Sequence, residues 1–137
     1  MHHNLVLIPT YNEKENVERM IRKVFSLNVP FEILIIDDNS PDKTATIVEQ
    51  LMSEFSEKLH ILKRAGKEGL GKAYLAGFHW ALDRKYDYIF EMDCDFSHNP
   101  DDLERLYEAC VEQNADLAIG SRYISGINVI NWPLGRV

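Results

Sequence analysis

"EILIIDDNSPDKTATIVEQL", Glu32 to Leu51, decides the fold. Ile33, Leu34, Ile35 and Ile36 are apolar without interruption. A strand with one wet face alternates apolar and polar, so a continuous run describes a strand covered on both faces. The run stops at Asp37-Asp38-Asn39, and Ser40-Pro41-Asp42 then offers a capping side chain followed by proline at a first helical position. Ile47, Val48, Leu51, Met52 and Phe55 continue as one stripe at helical spacing. A two-sided strand running into an amphipathic helix is the repeating unit of parallel α/β sheets.

The same alternation extends in both directions. Apolar runs recur at "NLVLIP" (Asn4–Pro9), "LHILKR" (Leu59–Arg64), "YIFEMD" (Tyr88–Asp93) and "DLAIGS" (Asp116–Ser121), and of these only "LHILKR" is half polar. Helical stripes lie between them: Val17, Met20, Ile21, Val24 and Phe25; Ala73, Ala76, Gly77, Trp80 and Ala81; Leu103, Leu106, Tyr107, Cys110 and Val111. Asn99-Pro100-Asp101 repeats the cap-then-proline signal. Five strands alternating with four helices predict an α/β fold, a mostly parallel sheet with flanking helices and right-handed crossovers.

Composition narrows the function classes. The 137 residues suit one domain, and 45% apolar with 27% charged residues is ordinary for a globular chain. A net charge of −7 argues against broad nucleic-acid binding. Cys94 and Cys110 have neither disulfide-framework nor metal spacing, which suits a reducing cytosol. No apolar run approaches the roughly 20 residues of a membrane helix. His2 and His3 receive no role.

Ligands of open α/β sheets bind beyond the carboxyl ends of the strands, and the unusual polar clusters lie there. They are "PTYNE" (Pro9–Glu13), "DDNSPD" (Asp37–Asp42), "KRAGKEGLGKA" (Lys63–Ala73), "DCD" (Asp93–Asp95) and "GSRY" (Gly120–Tyr123). Asp93 and Asp95 stand two apart, so in extended chain both point the same way. Two readings stand: a hard divalent cation that removes their repulsion, or two solvated acids in a turn beside Ser97 and Asn99. Gly66–Lys72 matches G-x-x-x-x-G-K, yet Ala73 lacks the hydroxyl a P-loop uses for Mg²⁺; it reads instead as a flexible loop over a ligand. A second reading takes Glu32 onward as a phosphoacceptor receiver domain with Asp93 as the acceptor. That leaves "LVLIPTYNE" and its helix unexplained.

With these pieces placed, the chain resembles glycosyltransferase family 2, and within it the dolichol-phosphate (polyprenol-phosphate) mannose synthase branch. The resemblance rests on "IPTYNEKEN" (Ile8–Asn16), "IIDDNSPDKT" (Ile35–Thr44), "KEGLGKAYLAGF" (Lys67–Phe78), "MDCDFSHNP" (Met92–Pro100) and "AIGSRYISG…NWPLGR" (Ala118–Arg136). It covers essentially the whole chain, and "GSRY" followed by "NWP" is its most specific part.

The resemblance implies a nucleotide-sugar-binding, glycosyltransferase A-type (Rossmann-like) fold, with residues 1–137 as the N-terminal part of a longer catalytic domain. Pro9, Tyr11, Glu13, Ile36 and Asp38 match positions that hold base and ribose. Asp93, Cys94 and Asp95 form the Asp-x-Asp segment, with Asp95 the direct ligand of Mg²⁺ or Mn²⁺. Where some members complete the metal shell with glutamine this chain has Ser97, whose shorter hydroxyl would reach an ion only through water. Arg122 and Arg136 match arginines that receive phosphate, as a guanidinium fork suits. The implied reaction moves mannose, with inversion, from GDP-mannose to a polyprenyl phosphate at the cytoplasmic membrane face. A UDP-sugar donor is the alternative within the family. A phosphate acceptor, with a second pKa of about 6, is largely dianionic at pH 7 and needs no general base.

Overall fold

The structure is a computed structural model that describes residues 3–66, 69–95, 99–113, 117–120 and 127–130. The strands are β1 (Asn4–Thr10), β2 (Glu32–Asp37), β3 (Leu59–Lys63), β4 (Tyr88–Glu91), β5 (Leu117–Gly120) and β6 (Ile127–Ile130). The helices are α1 (Val17–Phe25), α2 (Thr44–Met52), α3 (Leu70–Leu82) and α4 (Asp102–Gln113). The sheet order is β3-β2-β1-β4-β5-β6; the first five strands run parallel and β6 returns antiparallel to β5. The expected strand–helix alternation is all present, and β6 is an addition to it.

The continuous apolar runs divide between two faces, as the period of two requires. Val6, Ile8, Ile33, Ile35 and Phe90 pack with Val17, Met20, Ile21 and Val24 of α1, Val48 and Leu51 of α2, and Leu103, Leu106 and Cys110 of α4. Leu5, Leu7, Leu34, Ile36 and Ile89 face the other way, toward Ala73 and Ala81 of α3. In β3 only Leu59 is fully buried, because that strand is the sheet edge and has one neighbour.

Among the described residues α3 is the helix packed on that face, against β1, β2 and β4, and it lies close. Ala73, Gly77 and Ala81 recur every four residues along α3 and are all buried. A methyl group added at Gly77 would sit 2.7 Å from Ile36 Cδ1 and 3.1 and 3.2 Å from the two Leu7 methyls. The missing side chain at Gly77 sets the helix-to-sheet distance. The helix is entered through Gly69 at φ +103° and ψ 155°, a region that side-chain-bearing residues avoid.

Three expectations are corrected. The helices α2 and α4 begin at Thr44 and Asp102, past both prolines, although Asn99 does cap the turn into α4, its Oδ1 accepting the Asp101 N–H at 3.0 Å. Ser40 is committed elsewhere, to Asp37, and Asp42 supplies the acceptor for the Thr44 N–H at 3.1 Å. Val111 is exposed rather than part of the α4 stripe. The receiver reading fails on topology. It needs the Glu32–Asp37 strand beside the Tyr88–Glu91 strand, in the 2-1-3-4-5 order of that fold, and β1 lies between them.

At the amino ends of the strands, Glu32 gathers the His60 ring nitrogen and the Tyr86 hydroxyl, each at 2.8 Å, together with His3. His3, given no role from the sequence, stacks on Tyr86. Trp80 stacks on Tyr86 in turn and carries Arg84 over its other side, 3.9 Å from the ring centre. Burial raises the Glu32 carboxyl, but the bonds from His60, Tyr86 and His3 outweigh it and hold the group below its ordinary range.

Candidate active site

Strand order reverses between β1 and β4, and at their carboxyl ends a cleft of about 240 Å³ opens. Pro9, Thr10, Tyr11 and Glu13 line it from β1, Asp38 from β2, Asp93, Cys94 and Asp95 from β4, and Gly69 and Ala73 from α3.

The β1 and β2 ends are tied together before any ligand arrives. Asp37, almost wholly buried, accepts the Thr10 hydroxyl at 2.8 Å and both the hydroxyl and the N–H of Ser40 at 2.6 and 3.0 Å. The chain then turns through Asn12 at φ +55°. Backbone N–H groups of Asn12, Glu13 and Lys14 donate to Ser40 Oγ, Thr44 Oγ1 and the Asp42 carboxylate at 3.0, 3.1 and 3.1 Å. Asp42 N–H returns to Asn12 Oδ1 at 3.3 Å. Burial raises the Asp42 carboxyl, yet the Thr44 hydroxyl, the Lys14 and Thr44 N–H groups and the Lys14 charge bring it below its ordinary value. These cross-links hang Tyr11 and Glu13 over the cleft.

Asp38 is 6% exposed, and Arg64 at the end of β3 brings its guanidinium to 3.4 Å of Asp38 Oδ1. The Arg64 backbone is anchored by its N–H to the Asp37 carbonyl at 2.8 Å. Asp93 is half-buried and Asp95 exposed. Cys94 between them is buried in the core, and burial, then the charges of Glu13, Asp95 and Asp93, push its thiol far above its ordinary pKa. Glu91 is raised to about 7 by burial and by Asp93.

The cleft thus gathers Pro9, Tyr11, Glu13, Asp38, Asp93, Cys94 and Asp95 from the sequence expectations. Ile36 is not in it: its side chain is fully buried against α3, which leaves only its backbone near the strand end. Ser97, Arg122 and Arg136 lie outside the described residues. Thr10, Arg64, Tyr74 and Glu91 were not anticipated. Of these Glu91 carried a signal, since it continues the alternation of Asp93 and Asp95 backward by two.

Carboxylates of Glu13, Asp38, Asp93 and Asp95 around one cleft repel a phosphate unless a cation intervenes. Their oxygens suit hard ions such as Mg²⁺ and Mn²⁺. Among the described residues no three acidic, histidine or cysteine side chains converge into a metal cage.

A cleft at the strand switch point, beyond the carboxyl ends of the strands, is where open α/β domains take their ligands. Residues 5–137 match the family model for glycosyl transferase family 2, and the chain belongs to that family. Polyprenol monophosphomannose synthase of Mycolicibacterium smegmatis is 47% identical over 133 residues, 97% of this chain and 50% of that protein. Undecaprenyl-phosphate mannosyltransferase of Micrococcus luteus is 43% identical, over 96% of this chain and 53% of its own length. Dolichol-phosphate mannosyltransferase of Pyrococcus furiosus is 38% identical, over 96% and 36%. The chain spans about half or less of these relatives.

Solved structures agree on the fold, which is of the glycosyltransferase A type. The mannosyltransferase PcManGT from Pyrobaculum calidifontis, in complex with GDP-Man and Mn²⁺, superposes with a TM-score of 0.59 at 21% identity, covering 69% of this chain and 28% of that one. Residues 1–349 of S. aureus TarS with UDP superpose at 0.67 and 22% identity, covering 83% and 33%.

Proposed function

We propose that this chain carries the donor half of a metal-dependent, inverting mannosyltransferase that moves mannose from GDP-mannose to a polyprenyl phosphate. The observation that carries the reading is the convergence of Pro9, Tyr11, Glu13, Asp38, Asp93 and Asp95 on one cleft at the strand switch point. The names of the relatives, all lipid-phosphate mannosyltransferases or synthases, support the sugar and the acceptor class. A lipid acceptor implies a reaction at a membrane surface, which this reading takes to be the cytoplasmic face. Among the described residues no helix is long and apolar enough to cross a membrane.

In this reading the cross-linked β1 and β2 loops present Tyr11, Glu13 and Asp38 to base and ribose. Asp95, with Asp93, would hold Mg²⁺ or Mn²⁺, and the ion would supply neutralisation of the charge that grows on the departing diphosphate. Arg122 and Arg136 bring the acceptor phosphate close to that anion. No general base is required, because the acceptor phosphate is its own nucleophile. Attack from the far side of the anomeric carbon gives a β-linked product from an α-linked donor.

Calorimetric titration of GDP and UDP, each with Mn²⁺ and with chelator, tests this. GDP binding that depends on the metal is expected. Preference for UDP would change the sugar donor, and absence of binding with either nucleotide would refute the assignment of the cleft.

A further inference from the structure

Behind the Asp93–Asp95 segment stands a side chain that no motif called for. Tyr74 of α3 donates its hydroxyl to Asp93 Oδ1 at 3.1 Å. The ring is half-buried beside Ala73, which lines the cleft, and one turn from Gly77, whose missing side chain fixes how near the helix lies to the sheet. A phenol is protonated at neutral pH, so in this geometry Tyr74 donates and the Asp93 carboxylate accepts.

An aspartate's terminal torsion is broad, so a carboxylate at a cleft wall rotates unless something holds it. Asp93 is half-buried and accepts the Tyr74 hydroxyl. We propose that Tyr74 is a positioning residue whose hydroxyl sets the orientation in which Asp93 meets the nucleotide-sugar and its cation. The two aspartates then divide the work: Asp95 offers its carboxylate to the ion, and Asp93 offers a fixed one. This rests on the nucleotide-sugar reading of the cleft. The competing view makes the bond an ordinary strut between α3 and the end of β4.

The two views separate by what the bond's loss disturbs. A strut affects stability and every form of binding alike. A positioning bond affects what the metal adds, and partners that orient ligating groups are typically worth 10–100-fold in metal affinity. The test is calorimetric titration of GDP with Mn²⁺ and with chelator into the wild type, Tyr74→Phe, Asp93→Ala and the double variant. Phenylalanine keeps the ring and its packing.

Tyr74→Phe should lower the affinity in Mn²⁺ by about tenfold. The affinity in chelator should be unchanged, and the substitution should be silent once Asp93 is alanine. Unchanged affinity in Mn²⁺, equal loss in both conditions, or the same further loss in the Asp93→Ala background would each overturn the proposal. So would a melting temperature lowered so far that Tyr74→Phe does not fold, which would make the tyrosine structural. If the wild type itself shows no metal-dependent binding, the cleft assignment has failed and takes this proposal with it. If the wild type shows it and Tyr74→Phe matches, the positioning role alone falls.

Discussion

Gly77→Ala sets two physical effects against each other. Glycine within a helix costs about 1 kcal/mol relative to alanine, so propensity alone predicts a stabilised protein. The structure predicts the reverse. The new methyl would stand 2.7 Å from Ile36 Cδ1, with Leu7 methyls at 3.1 and 3.2 Å, and both residues are fully buried. Inserting a methyl into a packed core costs about 1–3 kcal/mol, so the net change is a loss of about 0–2 kcal/mol. At this size that corresponds to a melting temperature lower by up to about 8 °C. Differential scanning calorimetry reads it directly. Ile36→Val supplies the internal control, because it deletes the atom that clashes. Alone it should cost about 0.5–1.5 kcal/mol, whereas in the Gly77→Ala background it should be neutral or favourable. A Gly77→Ala protein that melts higher than wild type, or strict additivity of the pair, would refute the close-approach argument.

Asp95→Asn should abolish the Mn²⁺-dependent part of nucleotide binding while leaving thermal unfolding unchanged; retained metal dependence would remove Asp95 from the ion. Arg122→Ala and Arg136→Ala should each reduce sugar transfer more than donor binding, measured by radiolabelled product and by calorimetry; equal loss would move them to the donor side. Glu32 provides a pH signature. Its folded carboxyl titrates below the ordinary value, so it contributes stability above the unfolded pKa of about 4.3 that is lost as pH falls through the folded one. Melting temperature should therefore drop more steeply below about pH 4 in wild type than in Glu32→Gln.

Much of this architecture could be read from residue order because each strand had to satisfy two faces at once. The unbroken Ile33–Ile36 and Leu5–Ile8 runs admit little besides a covered parallel strand. The stripes of α1 and α2 gave their buried sides directly. Helix starts were misread because Ser40 resembles a cap in sequence, while in space its hydroxyl and N–H serve Asp37. β6 escaped notice because "INVI" (Ile127–Ile130) is a short run with a central asparagine, and only its pairing with β5 identifies it. The strand ends named most of the cleft. Tyr74 and Arg64 escaped because each acts through a tertiary partner, Asp93 or Asp38, that lies 19 or 26 positions away in the chain. Ile36 ends its apolar run close to the cleft, and its side chain turns into the core.

The stapling of the first two strand-end loops has a consequence for anyone reshaping this enzyme class. Asn12, Glu13 and Lys14 take their positions from side chains 28 to 31 residues further along the chain. A new segment grafted after β1 would lose its anchors at Ser40, Asp42 and Thr44, and one grafted after β2 would leave Tyr11 and Glu13 unsupported. On the proposed reading, donor preference at this wall of the cleft would belong to the two loops together. A chimera that swaps residues 9–14 without 37–44 should bind neither parent's nucleotide well.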